Sequence, residues 1–513
     1  MDHSTRKSQN LHLVVEYVIV LCAVGILYIM TMAPGALWQD NGLAQVRVLQ
    51  HDFTGKLGLA LGHPLFYLLA EGFQLLPFAE SAFKTNLLAA IAASFTIANF
   101  YLLIRIILID NHFSLLASFT GMLSLALAHT FWQHAALAEV YSVSTAILSL
   151  ELILLVMFYQ TGRILLWLSA FFFNGLECSN HMLAIVTLVP VVLWSLFLMR
   201  DGRLKVYWLL PALGLWFIGC LPYEILGFQA WQNGLPAGEV IRSMFFGKYQ
   251  REVLNFGLST SLILTTLGVI ALNFLTPNIL LIPVGMFRAK QLLAARLVLL
   301  FGLLTGFHLL FAIRYPVRDQ YTFFIIPVLF LAFWLGIGAA WFIEKFPRKR
   351  WLPFVLAFLP PIGYAFIPTI VHWRNPKFAY PPIPYREEAK YFFWPWKNSY
   401  TGPEKLVREV FALAKPNAIV LADSTSIRPF EYYQLAHQLR TDILLTDSLY
   451  PDMPEWERVQ KLSDDIKKRQ VFIIRPYPNY APEWILEHFK IVPAGPIYQV
   501  LSPDEPVQST GTR

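Results

Sequence analysis

Residues 13–32 read LVVEYVIVLCAVGILYIMTM and run directly into residues 33–42, APGALWQDNG. The first stretch carries one acid, Glu16, in an otherwise apolar run of about 20 residues, the length a helix needs to cross a bilayer. The second ends in Trp38-Gln39-Asp40-Asn41-Gly42, so a carboxylate stands just beyond the exit of that helix. Gly42 permits a tight turn that would present it. Charged groups at a helix mouth are costly to keep and mark functional sites. Asp40 is therefore either an interfacial helix cap or a reactive carboxylate.

The rest of the chain extends the membrane reading. Hydrophobic residues make up 56% of 513 and charged residues only 14%, where a soluble domain carries about 25% charged. The apolar excess comes in long blocks. We expect spans near residues 13–32, 84–105, 113–131, 141–159, 164–178, 182–199, 206–222, 258–276, 297–313, 321–343 and 351–371, about eleven in all. Residues 258–287 pass through Pro277 and Pro283, which fits one kinked helix or a span followed by a re-entrant piece. No small-residue cleavage site follows the first segment, so no removable signal peptide is expected.

The net charge of +7 has a topological origin. Arg6 and Lys7 precede the first span, and further basic residues fall in alternate connectors: Arg105, Arg163, Arg200, Arg203, Lys205, Arg288, Lys290, Arg296, Lys345, Arg348, Lys349 and Arg350. That alternation places the amino terminus in the cytoplasm and the carboxyl end outside, most naturally across a bacterial inner membrane. It excludes a nucleic-acid footprint. Cys22, Cys178 and Cys220 lie in or beside apolar segments without metal or disulfide spacing, as buried free thiols do.

The external connectors differ in kind from the internal ones. The first holds Asp40, His63-Pro64 and an apolar segment at residues 65–76, too short to span and suited to the interface. The second holds His134, Glu139 and Tyr141, the third His181. The fourth mixes Trp231, Arg242, Lys248, Tyr249 and Arg251, and the fifth reads Arg314-Tyr315-Pro316-Val317-Arg318-Asp319-Gln320-Tyr321. After a hinge at residues 376–399 the composition changes. Residues 400–513 alternate strand-length runs (418–422, 442–445, 471–474) with helical stretches (430–440, 454–469), a small α/β domain. Its first strand runs into Asp423-Ser424-Thr425-Ser426, either a ligand position or a helix cap. The expected organisation is an all-α polytopic domain over residues 1–375, the hinge, and an extracytoplasmic α/β domain.

Several side chains then suggest chemistry. His63 either caps the helix begun by Pro64 or faces a substrate. His134, Glu139 and His181 stand at external helix mouths; a divalent metal there is an open reading that no ligand spacing specifies. Glu151, inside a span, is expected to hydrogen-bond a neighbouring helix. Arg314 and Arg318 sit where positive charge is disfavoured, so they answer either Asp319 or a bound phosphate, whose shape suits a guanidinium fork. One carboxylate, two arginines and several aromatic rings suit sugar transfer. Rings stack on the sugar, cations hold a phosphate leaving group, and the carboxylate takes a proton from an acceptor hydroxyl.

Those motifs, Trp38-Gln39-Asp40-Asn41-Gly42, His63-Pro64-Leu65, Phe131-Trp132 with Ala138-Glu139-Val140-Tyr141, Asn180-His181 and Asp319-Gln320-Tyr321, resemble the GT-C superfamily of polyprenyl-phosphate-sugar-dependent glycosyltransferases. More narrowly they resemble a bacterial polytopic family related to an animal protein O-mannosyltransferase. The chain departs from that pattern at Leu43, at Leu65-Phe66 and at Ser424-Thr425-Ser426, where many relatives have an acid, Pro-Gly and a more acidic turn. The resemblance implies an inverting glycosyltransferase with a polyprenyl-phosphate sugar donor and an acceptor hydroxyl on protein, lipid or glycan. It makes Asp40 the base, with Trp38, His63, His134, Glu139, Tyr141, His181, Arg314, Arg318, Asp319, Gln320 and Tyr321 around the substrates. A transporter or flippase for a lipid-linked saccharide is the alternative. Transporters collect polar residues at mid-membrane between two related halves, which this chain lacks.

Overall fold

The computed structural model describes residues 3–109 and 111–503, with side chains from residue 11 onward. Arg6 and Lys7 therefore lie outside the described side chains. By contacts the chain divides into two compact units. One is Met1–Met32, Asp52–Leu75 and Leu87–Phe366; the other is Ala33–His51, Leu76–Asn86 and Ile367–Arg513.

In chain order the first eighteen helices are α1 (His3–Thr31), α2 (Gln39–Gln50), α3 (Pro64–Gln74), α4 (Ser81–Ile107), α5 (Ser114–Ala126), α6 (His129–Ala135), α7 (Val140–Thr161), α8 (Ile164–Cys178), α9 (Ala184–Arg200), α10 (Leu209–Gln232), α11 (Ala237–Phe246), α12 (Gln250–Val253), α13 (Thr260–Asn273), α14 (Leu281–Leu292), α15 (Ala295–Arg314), α16 (Ile325–Lys345), α17 (Leu352–Leu356) and α18 (Pro360–Arg374). Each apolar block expected to span coincides with a helix or a bent pair. Among the described residues, 6 helices are long and apolar enough to cross a membrane, or up to 9 with each bent pair as one span; α8 and α9 are shorter apolar helices. The chain is an integral membrane protein.

The bends have local causes in two cases. Between α13 and α14 the axis turns by 118°. There Pro277 cannot continue the preceding helix, and Thr276 caps the new turn by accepting from the Asn278 N–H at 3.3 Å. Residues 258–287 are thus a broken pair rather than one kinked rod. The 45° bend between α17 and α18 falls just before Pro360. The 68° break between α5 and α6 has no proline or glycine at Leu127-Ala128.

The bundle packs around α16, whose apolar window is 100% buried. Lipid supplies no hydrophobic drive for helix pairing, so close backbone contact must do so. A Cβ on Gly285 would fall 1.9 Å from Trp334 O, and one on Gly338 would fall 2.0 Å from Leu281 O. Only glycine allows α14 and α16 to meet there. Glu151 accepts from Asn174 Nδ2 on α8 at 3.2 Å, the interhelical role expected of it. The three cysteines are free; Cys178 and Cys220 are buried and Cys22 is exposed.

The second unit contains α19 (Glu388–Phe393), α20 (Gly402–Leu413), α21 (Ile427–His437), α22 (Glu455–Ile466) and α23 (Glu483–His488). Its strands are β1 (Ile419–Leu421), β2 (Leu444–Thr446), β3 (Val471–Ile473), β4 (Lys490–Ala494) and β5 (Ile497–Leu501). The sheet order is β2-β1-β3-β5-β4. β1 runs parallel to β2 and β3, while β5 pairs antiparallel with β3 and β4. Alternate residues feed two cores, as the twofold repeat of a strand requires. Ile419, Leu421, Val471 and Ile473 point into one, with Trp484 and Ile485. Ala418, Val420, Ala422, Phe472 and Ile474 point into the other, with Val407, Phe430 and Tyr432. That second core also contains Ala36, Trp38, Val46 and Ala82 from the segment between α1 and the first turn of α4. α2 is therefore built into the α/β unit.

Candidate functional site

Asp40 lies in the first turn of α2. Gln45 organises the approach to that turn by accepting from Leu37 N at 3.0 Å and donating to Gly35 O at 3.2 Å and Asn86 Oδ1 at 3.1 Å. Trp38 is 0% exposed, and its Nε1 donates to the Tyr400 hydroxyl at 2.7 Å. The indole expected to touch substrate is thus a core anchor, because a buried indole N–H must find a partner inside the protein. Asp40 itself remains solvent-accessible. The protein around it nevertheless raises its carboxyl pKa above the ordinary value, and the Arg428 guanidinium partly offsets that rise. The result is an accessible carboxylate with a strengthened affinity for a proton.

In the other unit the histidines gather. His63 takes a left-handed conformation before α3 and makes no capping bond; its Nδ1–H donates to Asn180 O at 2.6 Å. Its ring stacks on His181 with centroids 5.1 Å apart. Tyr141 lies 5.1 Å from His181 and 5.6 Å from His134, and Tyr321 lies 6.1 Å from His134. Phe323, which sequence reasoning did not single out, packs on both Tyr141 and His181. His181 Nδ1 accepts from Leu183 N at 3.1 Å, so the neutral ring carries its proton on Nε2. Burial, and then the neighbouring His63, hold that ring well below the usual imidazole pKa. Five of the expected residues, His63, His134, Tyr141, His181 and Tyr321, thus form one continuous set of rings.

The arginines divide differently. Arg314 is not free to fork a phosphate. Its Nη1 donates to Val253 O at 2.6 Å and Asn255 O at 2.5 Å, and the guanidinium lies over Phe256 and Phe311. Asn255 returns the contact by donating to Arg314 O at 2.5 Å. Gln320 is 5% exposed and donates to Ala312 O at 2.9 Å and Ile313 O at 3.1 Å, satisfying carbonyls that α15 leaves orphaned at its end. Arg318 and Asp319 are exposed, and Glu139 stands at the N-cap of α7 without a side-chain capping bond.

The segment that Arg314 holds lines an open recess of about 970 Å³ with Arg242, Lys248, Gln250, Arg251, Glu252 and Leu254. Three cations there face one acid, so the recess favours an anion. Lys248 N donates to Leu57 O at 3.0 Å and Leu59 N to Ser243 Oγ at 3.0 Å, tying the recess to the loop that leads into His63. From Arg314, Tyr315 packs on Phe323 at 4.6 Å. The sequence signal for these cations was positive charge in a connector expected to be external, where it is disfavoured.

Among the described residues, the one group of three His, Cys, Asp or Glu ligand atoms close enough to hold a metal is Glu455, Glu487 and His488, all exposed. His134, Glu139 and His181 do not form such a group.

Comparison with known proteins supports the fold. Residues 56–204 match the family described as the protein O-mannosyl-transferase TMEM260 N-terminal domain. No curated protein sequence matches significantly. Among solved structures the chain is similar to ArnT from Cupriavidus metallidurans bound to undecaprenyl phosphate, with TM-score 0.61 and 13% identity over 94% of this chain and 97% of that one. The apo state of the same protein gives TM-score 0.57 and 12% identity over the same shares. The chain therefore shares the fold of that ArnT structure over 94% of its length.

Proposed function

We propose that the protein is an inverting glycosyltransferase that moves a sugar from a polyprenyl-phosphate donor to an acceptor hydroxyl on the extracytoplasmic face of a bacterial inner membrane. The observation that carries this reading is the likeness, over 94% of the chain, to a structure described as bound to undecaprenyl phosphate. The match of residues 56–204 to an O-mannosyltransferase domain supports sugar transfer in particular.

Asp40 takes the proton of the acceptor hydroxyl as its oxygen forms the new bond to the anomeric carbon. The bond from that carbon to the phosphate oxygen breaks from the opposite side, and polyprenyl phosphate leaves with the electron pair. The raised carboxyl pKa suits the first step, because a base works best as its pKa approaches the working pH. Arg242, Lys248 and Arg251 suit the second, since positive charge in the recess favours a leaving phosphate. The rings of Tyr141, His181 and Tyr321 offer flat surfaces to a sugar.

Mass spectrometry of glycans and lipid-linked sugars in a deletion strain, complemented with wild type or Asp40→Asn, tests the reading. Wild type should restore one glycan, and Asp40→Asn should fall short by about 10²–10⁴-fold at equal expression, the usual contribution of a general base. Undiminished transfer by Asp40→Asn refutes the assignment of the base. Accumulation of a lipid-linked precursor on the inner leaflet would instead identify a flippase.

A further inference from the structure

The turn between β1 and α21 lies at the carboxyl end of a central parallel strand, where open α/β sheets often bind ligands. Its acid is committed otherwise. Asp423 Oδ2 accepts from the Thr425 N–H at 2.9 Å, and Oδ1 accepts from the Ser426 hydroxyl. This fixes the turn so that the Thr425 carbonyl accepts the Gln39 N–H at 3.2 Å. Gln39 has φ 51°, a left-handed conformation that costs a non-glycine residue about 1–2 kcal/mol. The bond to Thr425 is one of the contacts that hold it there. Two residues after Asp40, Gly42 presses on α21 so closely that a Cβ would come within 2.8 Å of Arg428 Cβ. Asp40 is thus bracketed by two contacts, from Gln39 to Thr425 in the β1–α21 turn and from Gly42 to Arg428 in the first turn of α21.

We propose that the β1–α21 turn and the first turn of α21 together position Asp40, with Arg428 as their charged component. The proposal rests on the reading of Asp40 as the base. Glu431 holds the Arg428 guanidinium at 2.8 Å, so Arg428 acts on Asp40 through its field rather than by forming a closed ion pair. The elements packed on α2 carry Asp423, Arg428, Glu431 and His437 from the α/β domain and Glu80 ahead of α4, while α2 itself carries Arg47. Of these, Arg428 lowers the proton affinity of Asp40 while burial raises it. Arg428 thereby opposes the rise that burial imposes on the Asp40 carboxyl, while its guanidinium is bonded to Glu431.

The test compares wild type, Arg428→Gln and Arg428→Lys by two routes. Labelling of Asp40 with a carbodiimide and glycine ethyl ester, followed by mass spectrometry across pH, reports the titration of the carboxyl without any substrate. The rate of glycan formation in membranes from the complemented strains reports catalysis. Arg428→Gln should move both the labelling curve and the acid limb of the rate upward by about 0.5–1 pH unit, and Arg428→Lys should restore most of the shift. Donor KM should change less than about twofold, because Arg428 is not assigned to the donor. An unchanged labelling curve in Arg428→Gln overturns the proposal, as does a lysine variant that behaves like glutamine. If glutamine prevents folding, the lysine variant decides alone. In that case an Arg428→Lys rate limb displaced from wild type by more than about 0.5 unit, or an Arg428→Lys donor KM changed more than about twofold, overturns the proposal. A shifted labelling curve beside an active Asp40→Asn protein keeps the positioning and removes the catalytic role.

Discussion

Replacing Gly42 with alanine tests the placement of Asp40 without touching a charge. The added Cβ would lie 2.3 Å from Leu37 O and 2.8 Å from Arg428 Cβ, whereas ordinary contacts begin at 3.4 Å. Both obstacles are close to the backbone, so neither can swing aside as the end of a long side chain would. Relief requires the first turn of α2 to move by about 1 Å. Overpacking of this kind costs about 1–3 kcal/mol. Alanine returns about 1 kcal/mol of helix propensity relative to glycine. The net loss of stability is then about 0–2 kcal/mol, a drop of at most about 8 °C in melting temperature for a unit of this size. Activity should fall much further, because a misplacement of about 1 Å at a reacting group costs about 10²-fold. The assays are the glycan-forming rate in membranes and thermal unfolding of the purified protein. Gly35→Ala serves as control, since a Cβ there meets nothing within 4 Å. A Gly42→Ala rate within about threefold of wild type, with Gly35→Ala equally unaffected, would refute the claim that this contact positions the carboxylate.

Two further outcomes follow from side chains outside the proposed base. Lys397 is 2% exposed, donates to Trp394 O, and lies with its ammonium 5.4 Å from the Tyr391 ring centroid; burial lowers its pKa from 10.5 to about 7. Between pH 7 and 10.5 the unfolded chain binds more protons, so stability should rise with pH across that window, and Lys397→Met should flatten the rise and stabilise the protein at pH 6 by a few kcal/mol in thermal melts, on the order set by linkage. Arg314→Gln removes charge-assisted bonds to Val253 O and Asn255 O, each worth about 1.5–3 kcal/mol. It should loosen the wall of the basic recess, raising donor KM about tenfold and exposing residues 250–257 to limited proteolysis.

The legible parts of the sequence were those that depend on local pattern. Apolar blocks of membrane length gave the helices, and Pro277 marked one of the three breaks, whereas the bend before Pro360 fell inside the span expected at residues 351–371. The break at Leu127-Ala128 left no mark, because neither residue there is a proline or a glycine. In the α/β domain the three parallel strands stood out as β-branched runs. The β4–β5 hairpin was missed although Ile491-Val492 and Ile497-Tyr498 flank a Pro-Ala-Gly-Pro turn that signals it. Among site residues, His63, His134, Tyr141, His181 and Tyr321 were visible as polar or aromatic groups at helix mouths. The tasks of Arg314 and Gln320 were not, since bonds from a side chain to distant backbone carbonyls have no sequence signature. Trp38 misled for a related reason. Beside an exposed acid it reads as a ligand contact, yet the partner of its indole, Tyr400, stands 362 positions away.

That separation has a consequence for how the protein must be made. Trp38, Val46 and Ala82 enter a core whose other members, Val407, Phe430 and Phe472 among them, are synthesised several hundred residues later. The Ala82 N–H donates to the Tyr432 hydroxyl at 2.9 Å, and α2 packs along α21. Contacts this distant in sequence must close a long loop before they return any stabilisation, so they form late. Asp40 therefore emerges early yet acquires its setting only when the last domain folds. A chain cut before residue 400 would leave α2 without the surface it packs on. The α/β domain is then no appendage to a membrane enzyme. It supplies the structural support for the proposed base, which explains why a carboxylate just after α1 and a sheet at the far end of the chain belong to one compact unit.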